Sequence, residues 1–217
     1  MATFAALMFS ALAVAVDSLD VNDLVNNTNL SMYQDPSKFI WTNSSVYLSR
    51  ISVSASTLKN TLQTPCVRSR YWSNTTKEVE RSLDVYNKTE HSNIRSTNIS
   101  LTVEDQDSKK ILNVQHNGSK FSIMNITDKE IAISNENNTF RVLYSDTNCL
   151  ILADTLKAAG EDHEGLRCWM WLPESRIQKP PKCCLFVFEL LCSYFDETVE
   201  VSDKSCLNTT ERGSKSG

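Results

Sequence analysis

The residue types that catalysis needs are present here only in scattered form. The three histidines, His91, His116 and His163, stand in polar surroundings, and five glycines are too few for a phosphate-cradling loop. There is no Gly-x-Ser-x-Gly elbow and no His-Glu-x-x-His helix. Without a nucleophile paired to a base, the expectation is a binding protein, neither an enzyme nor the holder of a cofactor. One metal-like run, Glu161-Asp162-His163-Glu164, is read as a solvated turn, because consecutive residues on a hairpin do not converge on an ion. No metal site is expected.

The cysteines are the stronger signal. Seven of them, without C-x-x-C zinc spacing, read as disulfides formed in an oxidising compartment. At about 100° per residue, a helix starting near Pro181 puts Cys184 and Cys192 on neighbouring faces and turns Cys183 to the opposite side. Cys183 is therefore the odd thiol. Cys66, Cys149, Cys168, Cys184, Cys192 and Cys206 are left for three bridges, whose pairing spacing alone does not fix.

Secretion is supported at the N-terminus, where Phe4 to Val16 is apolar and Ala13-Val14-Ala15 offers a small-x-small cleavage site. We assign residues 1–18 to a signal peptide, 19–207 to one folded domain and 208–217 to a disordered tail. Ten Asn-x-Ser/Thr sequons, at Asn26, Asn29, Asn43, Asn74, Asn87, Asn98, Asn117, Asn125, Asn137 and Asn208, fit an extracellular glycoprotein. No later apolar run reaches spanning length. A net charge of -4 without a basic stripe argues against nucleic acid and anionic membranes. A soluble monomer with a small-molecule ligand is expected.

The elements that would position any site are short strands. Val46–Val53, Cys66–Trp72, Arg81–Tyr86, Asn98–Val103, Lys110–Val114, Phe121–Ile126, Glu130–Ser134 and Phe140–Tyr144 are β-branched or aromatic runs divided by polar turns. With the runs after Cys149 and Cys168 they make about ten strands, which indicates an all-β antiparallel barrel or sandwich. Asn117-Gly118 reads as a two-residue hairpin turn. Asp35-Pro36 reads as the start of a one- or two-turn helix. From Pro181, Cys184, Val187, Phe188, Leu191 and Phe195 recur at helical steps and give the one long amphipathic helix, followed by a short strand at Thr198–Val201.

Side-chain alternation then assigns faces. If that helix lies outside the sheet and is bridged to Cys149 and Cys168, those cysteines point outward, and Leu150, Leu152, Asp154, Trp169 and Trp171 point inward. These residues either fill a solid core or line a cavity for one small ligand.

A Tyr-Gln-Asp element, Asp146 just before Cys149, the Trp169-Met170-Trp171-Leu172 strand, the Cys183-Cys184 helix and a terminal cysteine, in this order, resemble the tick salivary lipocalins of the histamine-binding protein family. The resemblance implies an eight-stranded antiparallel lipocalin-type barrel with a C-terminal helix on its wall. It also implies secretion in tick saliva and sequestration of histamine or another biogenic amine, dampening host inflammatory and immune defence. By the same resemblance Cys149 pairs with Cys184, Cys66 with Cys206 and Cys168 with Cys192. Amine-binding members hold their cation with acids and rings. Where they carry acids, this chain has Leu150 and Trp169, leaving Asp35 and Asp154 as amine partners and Tyr144 and Trp169 as ring walls. The apolar lining equally suits a lipid mediator such as a leukotriene. A barrel serving only as scaffold for a protein-binding decoy is the further alternative.

Overall fold

The computed structural model describes residues 32–54, 64–89, 93–106, 109–126, 129–133, 138–154, 167–193 and 196–207. The expected leader, Asn26, Asn29, Asn137, Asn208, His91, His163, the acidic run 161–164, Phe195 and the tail lie outside them. Twelve strands are described: β1 (Val46–Ser54), β2 (Cys66–Ser69), β3 (Tyr71–Asn74), β4 (Glu78–Tyr86), β5 (Arg95–Gln106) and β6 (Lys109–His116), then β7 (Phe121–Ile126), β8 (Lys129–Ile133), β9 (Asn138–Ser145), β10 (Leu150–Asp154), β11 (Cys168–Pro173) and β12 (Asp196–Glu200). Helix α1 is the single turn Ser37–Ile40, and α2 spans Lys182–Cys192.

Eight strands close into an antiparallel ring, in the order β1-β2-β4-β5-β6-β9-β10-β11 and back to β1. This is the lipocalin-type barrel that the resemblance implies. Its weakest seam is between β1 and β2, which pair only at Val46↔Ser69 and Tyr47↔Arg68. Beyond that point β12 runs along Arg50–Ser54, and the residues after it reach β2. Val201 N–H donates to the Ser49 carbonyl at 2.8 Å, and Val67 N–H donates to Ser202 Oγ at 3.4 Å. Val199 and Val201 add to the interior cluster, so the C-terminal strand completes the wall. The Cys66–Cys206 disulfide fastens this segment to β2.

Alternation separates two apolar layers. Leu48, Leu83, Leu101, Leu150, Leu152 and Trp169 face the barrel interior. Tyr47, Ile151, Met170 and Leu172 face outward beneath α2, against Cys184, Phe188, Leu191 and Cys192. The helix buries that face because its apolar residues recur at three- and four-residue steps. Cys149–Cys184 and Cys168–Cys192 tie it to β10 and β11, and Cys183 is the exposed free cysteine among those described.

One local reading is corrected. Asn117-Gly118 does turn the chain, but it does not join a paired hairpin: β7 pairs with β8 in a separate two-stranded sheet, while β6 pairs with β9. The turn is shaped by packing, since a Cβ on Gly118 would stand 2.8 Å from His116 Cε1. His116 itself is buried, with Nε2 2.7 Å from Thr97 Oγ1 and its ring tilted against Phe121 at 6.3 Å. The β7–β8 hairpin leaves and rejoins the barrel at the end opposite α1, and Ile123, Met124, Ile131 and Ile133 pack into the interior cluster.

Candidate ligand-binding site

The barrel encloses a cavity of about 390 Å³. That is within the range of small-molecule sites, which are concave, mostly apolar and furnished with few polar groups. Its walls come from alternate residues of nearly every strand, including Leu83, Ile99, Leu101, Leu112, Val114, Leu150 and Leu152. Phe39 and Ile40 of α1 floor one end, together with Val46, Ser69 and Arg81. At the other end stand Asn138, Thr139, Phe140, Asp154 and Arg167, and the hairpin contributes Ile123, Glu130, Ile131, Ala132 and Ile133.

All four charged residues in the lining have partners within the protein. Arg81 is fully buried, and its guanidinium donates to Ser69 Oγ and to the carbonyls of Ile40, Thr42, Ser44 and Ser69 at 2.7–3.1 Å. Burial pushes its pKa down to about 10, so it remains charged at neutral pH. All those donors bind oxygens of the closed end, so Arg81 seals the floor by tying the α1 segment to β2. Glu130 is paired with Lys120 on the exposed side of the hairpin.

Asp154 and Trp169 form the polar corner. Asp154 Oδ2 lies 3.5 Å from Arg167 Nη1, and its backbone N–H donates to the Arg167 carbonyl at 3.0 Å. Burial raises the Asp154 pKa against the opposing pull of Arg167 and of the Trp169 indole. Trp169 is 6% exposed and stands edge-on to Phe140 at 6.0 Å. Its Nε1–H has no hydrogen-bond partner among the described residues. A buried donor in this state normally finds a partner.

Leu150, Leu152, Asp154, Trp169 and Trp171 all line the cavity. Asp35 and Tyr144 do not. Asp35 is exposed and accepts from Ser37 N–H at 3.0 Å and Ser37 Oγ at 2.6 Å, a local turn that leads into α1. Those hydrogen bonds hold its pKa below the ordinary value, although burial opposes them. Tyr144 lies in the outer layer, stacked on Tyr33 at 6.1 Å, with its hydroxyl donating to Asp146 at 3.0 Å. A register shift in the β9–β10 ladder causes this: Ile151 faces Tyr144 and Leu152 faces Val142, so Leu143 is bulged out and the parity of β9 changes. Asp146 belongs to the β9–β10 turn, accepting from the N–H groups of Asn148 and Cys149 at 2.6 and 2.9 Å. It lies near Cys149 and Cys184, but their sulfurs are joined to each other, so this cluster has no thiolate to offer a metal. Arg81 and the hairpin residues were missed by the sequence reading. The signal for Arg81 was an arginine at an inward position between Val79 and Leu83.

A family model of the tick histamine binding protein matches residues 24–208, which takes in the whole barrel, α2 and β12. The chain belongs to the tick histamine-binding protein family. It is thus a small-ligand-binding tick lipocalin. A comparison with the curated proteins gives no match. Among solved structures, this family member is similar to Japanin from Rhipicephalus appendiculatus bound to cholesterol, at 16% identity over 74% of this chain and 94% of that one, with a TM-score of 0.49. It is also similar to AM182 in a serotonin complex, at 15% identity over 78% and 90% of the two chains, with a TM-score of 0.43. At these values neither likeness bears on the ligand. No helix among the described residues is long and apolar enough to cross a membrane.

Proposed function

We propose that this chain is a secreted, monomeric salivary lipocalin that takes one small host mediator into its barrel and withholds it from its receptors, dampening inflammatory and immune defence. The observation that carries this reading is the cavity of about 390 Å³, walled by aliphatic and aromatic side chains, with one polar corner at Asp154 and Trp169. Such a lining fits a mediator with an apolar body and one polar end, of the lipid class, because a largely uncharged wall gives a polar ligand little in exchange for its hydration. The second reading, a biogenic amine such as histamine, rests on Asp154 beside the Trp169 ring. It places the amine on a carboxylate that already holds Arg167 at 3.5 Å. Export is supported by the apolar run at Phe4–Val16 and by three disulfides. The six sequon asparagines among the described residues, Asn43, Asn74, Asn87, Asn98, Asn117 and Asn125, are all exposed, as glycan attachment requires.

Calorimetric titration of the deglycosylated protein with a leukotriene, cholesterol, histamine and serotonin tests the reading. A one-to-one site for at least one of the two lipids, tighter than for either amine, is expected. Tighter amine binding would move the function to the second reading. Silence from all four would remove the cavity as the site of action and leave a protein-binding decoy.

A further inference from the structure

We propose that the β7–β8 hairpin is the lid of the cavity, and that a ligand enters and leaves when this hairpin swings away from the barrel mouth as a unit. The inference rests on the reading that a small ligand occupies the barrel, and it names the segment that governs the ligand's passage.

Two described elements outside the ring contribute to the cavity wall, α1 and the hairpin. They are fastened in opposite ways. Arg81 ties the α1 segment to β2 through five hydrogen bonds, which closes that end. The hairpin pairs only with itself, from Phe121↔Ile133 to Ile126↔Lys129, and among the described residues no backbone hydrogen bond joins it to the barrel. A segment held in this way opens locally at lower cost than the sheet it rests on.

Its side chains nonetheless make it a fitted cover. Ile123, Met124, Ile131 and Ile133 are only 4–7% exposed and belong to the interior cluster. The register shift between Ser122 and Met124 is a bulge at Ile123, which turns that side chain inward in addition to the alternating ones. Ile123, Ile131 and Ile133 line the cavity, while Asn125 is exposed and Lys120 pairs with Glu130 at the rim. At the base of the hairpin, the Phe121 ring packs on His116 at 6.3 Å and lies under the Arg95 guanidinium at 5.5 Å. This anchors the base, so the tip moves about it. The seal is apolar contact, and a hydrocarbon ligand strengthens it by giving the isoleucines more to pack on.

Hydrogen exchange followed by mass spectrometry on the full-length protein measures the opening. Stopped-flow fluorescence with the polyene fatty acid cis-parinarate as probe measures the passage. In the free protein, amides of β7 and β8 are expected to exchange at least about a hundredfold faster than those of β5, β6 and β9, at a rate that dilute urea changes little. Bound cis-parinarate should slow the hairpin amides at least about tenfold. Ile131→Ala, which removes part of the seal, should accelerate both entry and release of the probe by about tenfold, whereas Leu112→Ala, on a ring strand, should accelerate release alone. Hairpin amides as slow as those of the ring, and equally sensitive to urea, would show a fixed wall that opens only on global unfolding. That result overturns the lid and leaves the cavity reading standing. So does hairpin exchange that the bound probe fails to slow, or an Ile131→Ala variant in which release quickens without entry. The wild-type exchange decides even if a variant does not fold. If cis-parinarate does not bind, the cavity reading itself fails, and the lid with it.

Discussion

Replacing Arg81 by methionine should open the floor of the barrel. The wild-type guanidinium makes five hydrogen bonds, to Ser69 Oγ and to the carbonyls of Ile40, Thr42, Ser44 and Ser69, and lies over the Tyr71 ring at 5.9 Å. Each buried acceptor left unpaired costs about 1–3 kcal/mol. Thr42 and Ser44 are only partly buried, so their carbonyls can regain water, whereas those of Ile40 and Ser69 belong to buried residues. The gross loss is therefore about 4–5 kcal/mol, and burial of the methionine side chain returns about 1–2 kcal/mol of it. A net loss of about 3 kcal/mol, divided by a urea m-value near 2 kcal/mol/M, lowers the unfolding midpoint by about 1.5 M. Urea unfolding followed by tryptophan fluorescence, with the disulfides intact, measures this. Arg81→Lys should fall between wild type and methionine, since one ammonium cannot span acceptors on both α1 and β2. A methionine midpoint within about 0.3 M of wild type at unchanged m would show that the network adds nothing to the folded state.

On the outer wall, Asp84 is buried and bound by Arg68, Arg70 and Ser96. Burial opposes its ionisation, but the hydrogen bonds of Arg70 and Ser96 with the two arginine charges hold its pKa below 3.8. Its contribution is thus fully present above that value and lost as pH falls through the lower folded value. Asp84→Asn should destabilise by about 3–5 kcal/mol at neutral pH and flatten the acid limb of a stability–pH curve, and an unchanged acid limb would contradict the assignment. Removing the Cys66–Cys206 bridge, which spans 140 residues, should cost more than removing Cys168–Cys192, which spans 24. The chain-entropy figures are about 5 and about 3.4 kcal/mol, and paired Cys→Ser variants compared in urea test the order. Gly118→Ala keeps the Asn117 sequon but forces a Cβ against the His116 ring, so it should cost about 1–3 kcal/mol, and a neutral result would show that the ring moves freely.

The wall of the site was legible because alternation is strict where a strand is apolar on both faces. Cys149 and Cys168 had to reach a helix outside the sheet, and that fixed Leu150, Leu152, Trp169 and Trp171 on the inside. Alternation fails where a ladder shifts, as at Leu143, and there Tyr144 left the site. Local pattern also does not say whether a strand joins the ring: β7 and β8 look like barrel strands, but the pairing of β6 with β9 across them is a non-local choice. Asp35 was misread for another reason, since Asp-Pro-Ser is a helix-start signal whose carboxylate is already occupied by Ser37. Parity is silent on one further point. Arg81 and Trp169 are both inward-facing donors, and sequence treats them alike. In three dimensions the carbonyls before β1 and in β2 close on Arg81 and leave it no capacity for a ligand, while the Trp169 ring lines the cavity beside Asp154. The arginine therefore belongs to the floor and the tryptophan to the cavity wall, and only the positions of the neighbouring oxygens tell them apart.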